Sequence, residues 1–271
     1  MSFFPSSTRR EPLFKVPVVI VALVLVMLLI HLWRQTLGDE ADFRVLAAFA
    51  FIPARLTMQF DLQGVIAALT ELAGQGEGGA NDAASMHFLL GGGDLKPWTF
   101  LTYAGLHADF AHLGLNCLWL LAFGSALARR FGTGRFLLFF TVTAVAGALA
   151  HWLAHPVGLA PVIGASAAVS GAMAGAVRFA FQPGGPMLRR DAGGAAFAQP
   201  RALPLLQVFT NPKVWPFVAV WFVVNLVTGL GAVPLGLSES GIAWEAHIGG
   251  FLAGLGLFDL LDPVRDNQAA A

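Results

Sequence analysis

Six stretches of this chain, at about 14–36, 106–128, 134–155, 162–181, 214–233 and 243–261, are apolar over a length close to the thickness of a bilayer's hydrocarbon core. A helix needs roughly 20 mostly apolar residues to cross that core. Inside it each backbone N–H and C=O must find its partner within the chain, which a helix achieves by itself. With 56% of residues hydrophobic and only 12% charged, an ordinary soluble domain is excluded. The first stretch has no acidic residue from Phe14 to Leu37, is too long for a signal-peptide core and is followed by no small-residue cleavage pattern, so it is expected to be a retained helix. The expected fold class is an all-α polytopic membrane protein with six transmembrane helices and a long, partly helical first outer loop.

Orientation follows from basic residues, because short loops rich in Lys and Arg stay on the cytoplasmic side. With the N-terminus inside, Arg9, Arg10, Lys15, Arg129, Arg130, Arg135, Arg178, Arg189, Arg190, Arg201, Lys213 and Arg265 all fall inside, and Arg34, Arg44, Arg55 and Lys96 fall outside. Both termini are therefore expected in the cytoplasm, with residues 1–13 and 263–271 as tails around a membrane domain at 14–262. The histidines His31, His87, His107, His112, His151, His155 and His247 all land in the outer half, so polar machinery is expected there. The formal net charge of zero offers nothing to nucleic acid. Cys117 is the one cysteine, so no intramolecular disulfide can form.

The connection at 37–105 is far longer than an ordinary loop and is expected to hold structure of its own. Val65, Ile66, Leu69 and Leu72 recur at helical spacing, and Phe43–Phe60 is aromatic-rich but broken by Arg44, Pro53 and Arg55; both suit helices in the interface plane. Gly74 to Ser85 reads as a flexible tip, and 182–212 as a cytoplasmic linker. No internal repeat of the transporter kind is present.

Hydrolysis of an amide needs a nucleophile, a base to take its proton and donors for the oxyanion. Gly164-Ala165-Ser166 opens the fourth stretch and Ala246-His247-Ile248-Gly249-Gly250 lies in the sixth, so a hydroxyl and an imidazole enter at similar depth. His112 and Asn116, at i and i+4 in the second stretch, share a helical face and could both donate to an oxyanion. No carboxylate is placed as a third member: Glu245 faces away from His247 on the same helix, and Asp109 lies in the loop before His112. A Ser166–His247 dyad results, with the ring oriented by packing. Gly171 and Gly175, and Gly250 and Gly254, repeat at four-residue spacing, which lets helix backbones approach closely enough for short side chains to touch.

Plainer readings stand beside this one. A Gly/Ala/Ser-rich span serves packing in most proteins, His247 beside Trp244 could mark a membrane boundary, and Asn116 could be an interhelical hydrogen-bond partner. Trp98 is read as an anchor of the outer loop. His107/His112 and His151/His155 invite a metal reading, but no His-Glu-x-x-His arrangement exists and neither Asp109 nor Glu245 completes a set from the sequence. No metal and no cofactor are expected.

Trp98, His107 and His112-Leu-Gly-Leu-Asn116, followed by Gly164-Ala165-Ser166 and by Ala246-His247-Ile248-Gly249-Gly250 with Gly254, resemble the motifs of rhomboid-family intramembrane serine proteases of the six-helix bacterial kind. The resemblance implies Ser166 as nucleophile, His247 as base, and His112, Asn116 and the backbone N–H of Ser166 as the oxyanion hole. It implies transmembrane protein substrates cleaved near the outer face, and residence in the bacterial inner membrane. Three departures are visible: Ala167 where the family usually has Gly, Ser170 where an aromatic commonly packs on the imidazole, and Thr99 where an Arg often follows the tryptophan. Two further readings are a catalytically silent relative that binds membrane helices and a small transporter; the latter lacks intramembrane charges and broken-helix pairs.

Overall fold

The computed structural model describes residues 16–75, 90, 94–186, 200–231 and 242–264. Helices dominate them: α1 (Val18–Arg34), α2 (Asp39–Phe49), α3 (Pro53–Thr57), α4 (Leu62–Gln75), α5 (Thr99–Thr102), α6 (Phe110–Phe131), α7 (Thr133–Ala154), α8 (Ser166–Ala180), α9 (Gln207–Thr210), α10 (Trp215–Gly231) and α11 (Trp244–Leu261). By length and composition α6 and α7 suffice to cross a membrane; Val18–Arg34 and Trp215–Leu230 are apolar but shorter. The fourth apolar stretch becomes helical only at Ser166, because Val162 is taken up in an antiparallel bridge with Phe51.

The core is built around α8. Every residue from Ala167 to Ala180 is buried, as expected of a helix apolar or small on all sides, and α6, α7 and α11 pack around it. Glycines set the spacing. A Cβ on Gly250 would lie 2.1 Å from the Ala167 carbonyl oxygen, and one on Gly254 would lie 2.5 Å from that of Gly171, so α8 and α11 touch backbone to backbone. Gly132, at φ 76°, makes the turn between α6 and α7 in a conformation that side-chain-bearing residues rarely adopt.

Charged residues lock the end of this core remote from His247. The Arg130 guanidinium meets Asp262 through two hydrogen bonds of 2.8 Å, both side chains being almost fully buried. Arg178 joins Asp259 at 2.8 Å and also donates to the Leu203 carbonyl. Removing one partner of a buried, two-pronged pair strands the other charge, at a cost of about 3–5 kcal/mol.

The long first connection is indeed structured. Asp39, Glu40 and Asp42 in the first turn of α2 favour the positive end of its dipole, and Pro53 starts α3 where no N–H is required. Val65 of α4 is buried against Ala54 and Leu90, and α4 runs through Gln75, so the start of the expected Gly-rich tip is helical; positions 76–85, like His87, lie outside the described residues. Arg34 at the end of α1 holds Asp42 at 2.6 and 2.8 Å and the His107 carbonyl at 2.7 Å. The Trp98 indole donates to the Ala48 carbonyl at 2.8 Å, which matches its reading as a loop anchor. Arg55 is buried beneath this layer and donates to the Ala47 carbonyl; burial pulls its pKa down to about 10, so it stays cationic at neutral pH.

Candidate active site

The segment that delivers Ser166 is held from two sides. Val162 exchanges hydrogen bonds with Phe51 at 2.8 and 3.2 Å, and the Gly164 N–H donates to the Tyr103 carbonyl at 2.9 Å. The Tyr103 hydroxyl in turn donates to the Ala144 carbonyl of α7 at 2.8 Å. Gly164 has φ 114°, a conformation natural to glycine, and a Cβ there would lie 2.6 Å from His112 Nε2 and 3.7 Å from Ser166 Oγ. The His112 ring and the Ser166 hydroxyl thus meet over a glycine that must lack a side chain. Ser166 begins α8, so its N–H is among the first-turn donors that no helix carbonyl can reach.

His112 is fixed from below by Asp109, the N-cap of α6, whose carboxylate accepts the His112 N–H at 2.7 Å. The Ala108 N–H points at His112 Nδ1 from 3.5 Å. A backbone amide can only donate, so this contact favours the tautomer with its hydrogen on Nε2, facing Gly164. Asn116, on the same face one turn on, is buried and spends one amide hydrogen on the His112 carbonyl at 3.0 Å. Its second amide hydrogen is free of that bond.

His247 lies in the first turns of α11. A Cβ on Gly147 of α7 would lie 2.3 Å from the Ala167 methyl and 2.7 Å from the Ala246 carbonyl oxygen, so the residues adjoining Ser166 and His247 meet at one glycine. Among the described residues no hydrogen bond joins Ser166 Oγ to the His247 ring. The ring instead engages Asn225 of α10, with Nδ1 2.6 Å from Asn225 Oδ1. The amide's orientation is decided by its other end: Nδ2 donates to the Trp221 carbonyl at 2.8 Å, and a carbonyl can only accept. Oδ1 therefore faces the ring, so in the neutral imidazole Nδ1 carries the hydrogen and Nε2 the lone pair. That is the protonation state a general base requires.

Asn225 is the strongly polar residue of an otherwise apolar span, and sequence reasoning did not find it as the partner of His247. The missed signal was energetic: an amide in an apolar helix needs a partner, and His247 was the polar group of matching depth. The Ala167 departure also has a local account, because its methyl occupies the space that Gly147 leaves open. Ser170 is buried in α8, and the Thr99 hydroxyl caps the Lys96 carbonyl at 2.6 Å. Glu245 does face away from His247, and what the sequence did not show is that it meets the histidine pair of α7. Its two oxygens lie 3.2 Å from His151 Nδ1 and 3.0 Å from His155 Nε2, because α11 starts beside the end of α7.

Residues 94–190 match the family model of the Rhomboid domain, a range that holds His112, Asn116 and Ser166 and ends before His247. The chain is 31% identical over 157 residues to the "Rhomboid protease GluP" of Bacillus subtilis, covering 58% of this chain and 24% of that protein. It is 29% identical over 150 residues to "Rhomboid protein 1, mitochondrial" of Saccharomyces cerevisiae, covering 55% of this chain and 37% of that protein. The aligned part thus spans about a quarter of the first relative and little more than a third of the second. The apolar helices and the match at 94–190 support a membrane protein that carries a rhomboid-like domain.

Proposed function

We propose that this protein is an intramembrane serine endopeptidase that cuts transmembrane helices of membrane-protein substrates near the outer face. The observation that carries the reading is the Asn225–His247 contact, which leaves His247 Nε2 as the imidazole nitrogen able to take a proton. Ser166 Oγ attacks the scissile carbonyl as Nε2 accepts its hydrogen. The oxyanion is met by the Ser166 N–H, by His112 Nε2–H and by the free amide hydrogen of Asn116. His247 then returns the proton to the leaving amine, and water repeats the cycle on the acyl-enzyme. Catalytic hydrogen bonds are often unmade without substrate and close only in the reacting complex, so an open Ser166–His247 pair is compatible with this sequence of steps.

The six-span topology, cytoplasmic termini and bacterial inner-membrane location belong to the same proposal. A substrate helix enters sideways from lipid, and α10 is the element proposed to yield. The test is cleavage of a type I membrane substrate in liposomes by wild type, Ser166→Ala and His247→Ala. Wild type is expected to cut and both variants to lose turnover with the fold intact. Wild-type rates in either variant would overturn the assignment, and an inert wild type would favour the silent helix-binding relative. Cross-linking α10 to α6 should slow helical substrates more than soluble peptides, and equal slowing would remove the lateral gate.

A further inference from the structure

Outside the catalytic cluster, three groups with metal-ligating chemistry converge on the outer side of α7 and α11. His151 and His155 stand at i and i+4, so their rings share one face of α7 and its cap, with centroids 4.8 Å apart. Glu245, from the first turn of α11, spreads its carboxylate between them at 3.2 and 3.0 Å. One ligand atom from each residue lies within 4.8 Å of the other two. A tetrahedral zinc ion with bonds of about 2.0–2.2 Å keeps its ligands about 3.4 Å apart, so modest side-chain rotation suffices to gather all three around one ion.

We propose that His151, His155 and Glu245 form a transition-metal site that clamps the end of α7 to the start of α11. Two imidazoles and one carboxylate favour zinc and its neighbours over magnesium or calcium, which prefer all-oxygen shells. Access exists: the His155 side chain is 51% exposed while Glu245 and His151 are mostly buried, so an ion enters past His155 and keeps water in its fourth position. Both histidines bind through lone pairs, and the ion replaces the two hydrogen bonds that the carboxylate otherwise shares with them. The role is structural. Glu245 sits two residues before His247, so the clamp bears on the helix that carries the proposed base without supplying a reacting group.

The experiment uses the full chain in detergent, free of any histidine tag, stripped with chelator and titrated with Co²⁺ while its visible d–d absorption is followed. Wild type is expected to bind one equivalent, displaceable by Zn²⁺, with the intense bands of a four-coordinate site. His155→Ala and Glu245→Gln should each weaken binding about a hundredfold or more, since even outer partners of a metal site are worth about ten- to a hundredfold. Ser166→Ala and His247→Ala should bind like wild type, whatever becomes of proteolysis. Absence of the bands in wild type, undiminished binding in both His155→Ala and Glu245→Gln, or loss of binding in His247→Ala would each overturn the site. The first of these results would leave a carboxylate hydrogen-bonded to two rings and nothing more.

Discussion

Two neighbours of α11 meet it in opposite ways. Helix α8 has small residues and is enclosed throughout, its backbone touching that of α11 at Ala167–Gly250 and Gly171–Gly254. Helix α10 is bulky and outward-facing: Val220, Val223, Val224, Val227 and Leu230 all have more than half of their surface exposed. It docks through side chains, with Trp221 stacked on Phe251 at 4.4 Å, Phe217 near Phe123 and Phe181, and Asn225 bonded to His247. The contrast separates two jobs. A backbone seam cannot loosen by changing rotamers, so it fixes the depth of Ser166 relative to His247. A side-chain seam can open and reclose, and among the described residues it includes the Asn225–His247 hydrogen bond, which on the proposed function aims the ring.

The largest effect should come from adding a single methyl to the rigid seam. Gly250→Ala places a carbon 2.1 Å from the Ala167 carbonyl oxygen, where only displacement of a helix relieves the clash. Overpacking of this kind costs about 1–3 kcal/mol or more. Thermal unfolding in detergent should show a marked loss of stability together with loss of cleavage; a stable, active variant would break the contrast at its stiff end.

Asn225→Ala comes next, and it should spare the fold while lowering kcat by about a hundredfold, the low end of what a positioned general base supplies. Asn225→Asp keeps an acceptor for Nδ1 and should recover part of the loss. Equal kcat in wild type and Asn225→Ala would show that packing alone aims the ring.

Gly229→Ala sharpens the comparison because it is the α10 counterpart of Gly250→Ala. Its added carbon would lie 2.4 Å from the Trp244 ring and 2.7 Å from the Trp244 Cβ, so the ring must turn and the first residue of α11 must give, which a helix end does more readily than the mid-helix backbone seam at Gly250. A clearly smaller loss of stability than in Gly250→Ala is expected, and an equal loss would mean that both seams are rigid. Smallest of all is Val224→Ala on the exposed face, within about 0.5 kcal/mol of wild type. A larger drop would reveal an unrecognised packing partner for that face.

Much of this division was readable before any coordinates. The Gly-x-x-x-Gly spacings on the fourth and sixth stretches announced a close backbone seam, and the helical periodicity of Val65 and Leu69 announced structure in the long connection. What the sequence withheld were contacts between residues far apart in the chain, because periodicity reports which face of a helix is special and not what lies opposite. Asn225 is a polar residue in an apolar stretch, and nothing in the sequence names its partner. Glu245 could be placed away from His247 by helix geometry, yet nothing local said that His151 and His155 would stand in front of it. Gly147 attracted no notice, since its reason for being glycine is the Ala167 methyl on another helix. The start of the fourth helix shifted to Ser166 for a similar reason: the bridge to Phe51 holds Val162 extended despite its apolar surroundings.

The central claim is that Ser166 is a hydroxyl activated for attack by His247. Labelling with a fluorophosphonate, which displaces fluoride and bonds to an activated serine oxygen, tests it most directly. Wild type should incorporate the probe at Ser166, His247→Ala should react far more slowly, and Ser166→Ala should remain unlabelled. Absence of labelling in wild type, or labelling that persists in Ser166→Ala, would contradict it.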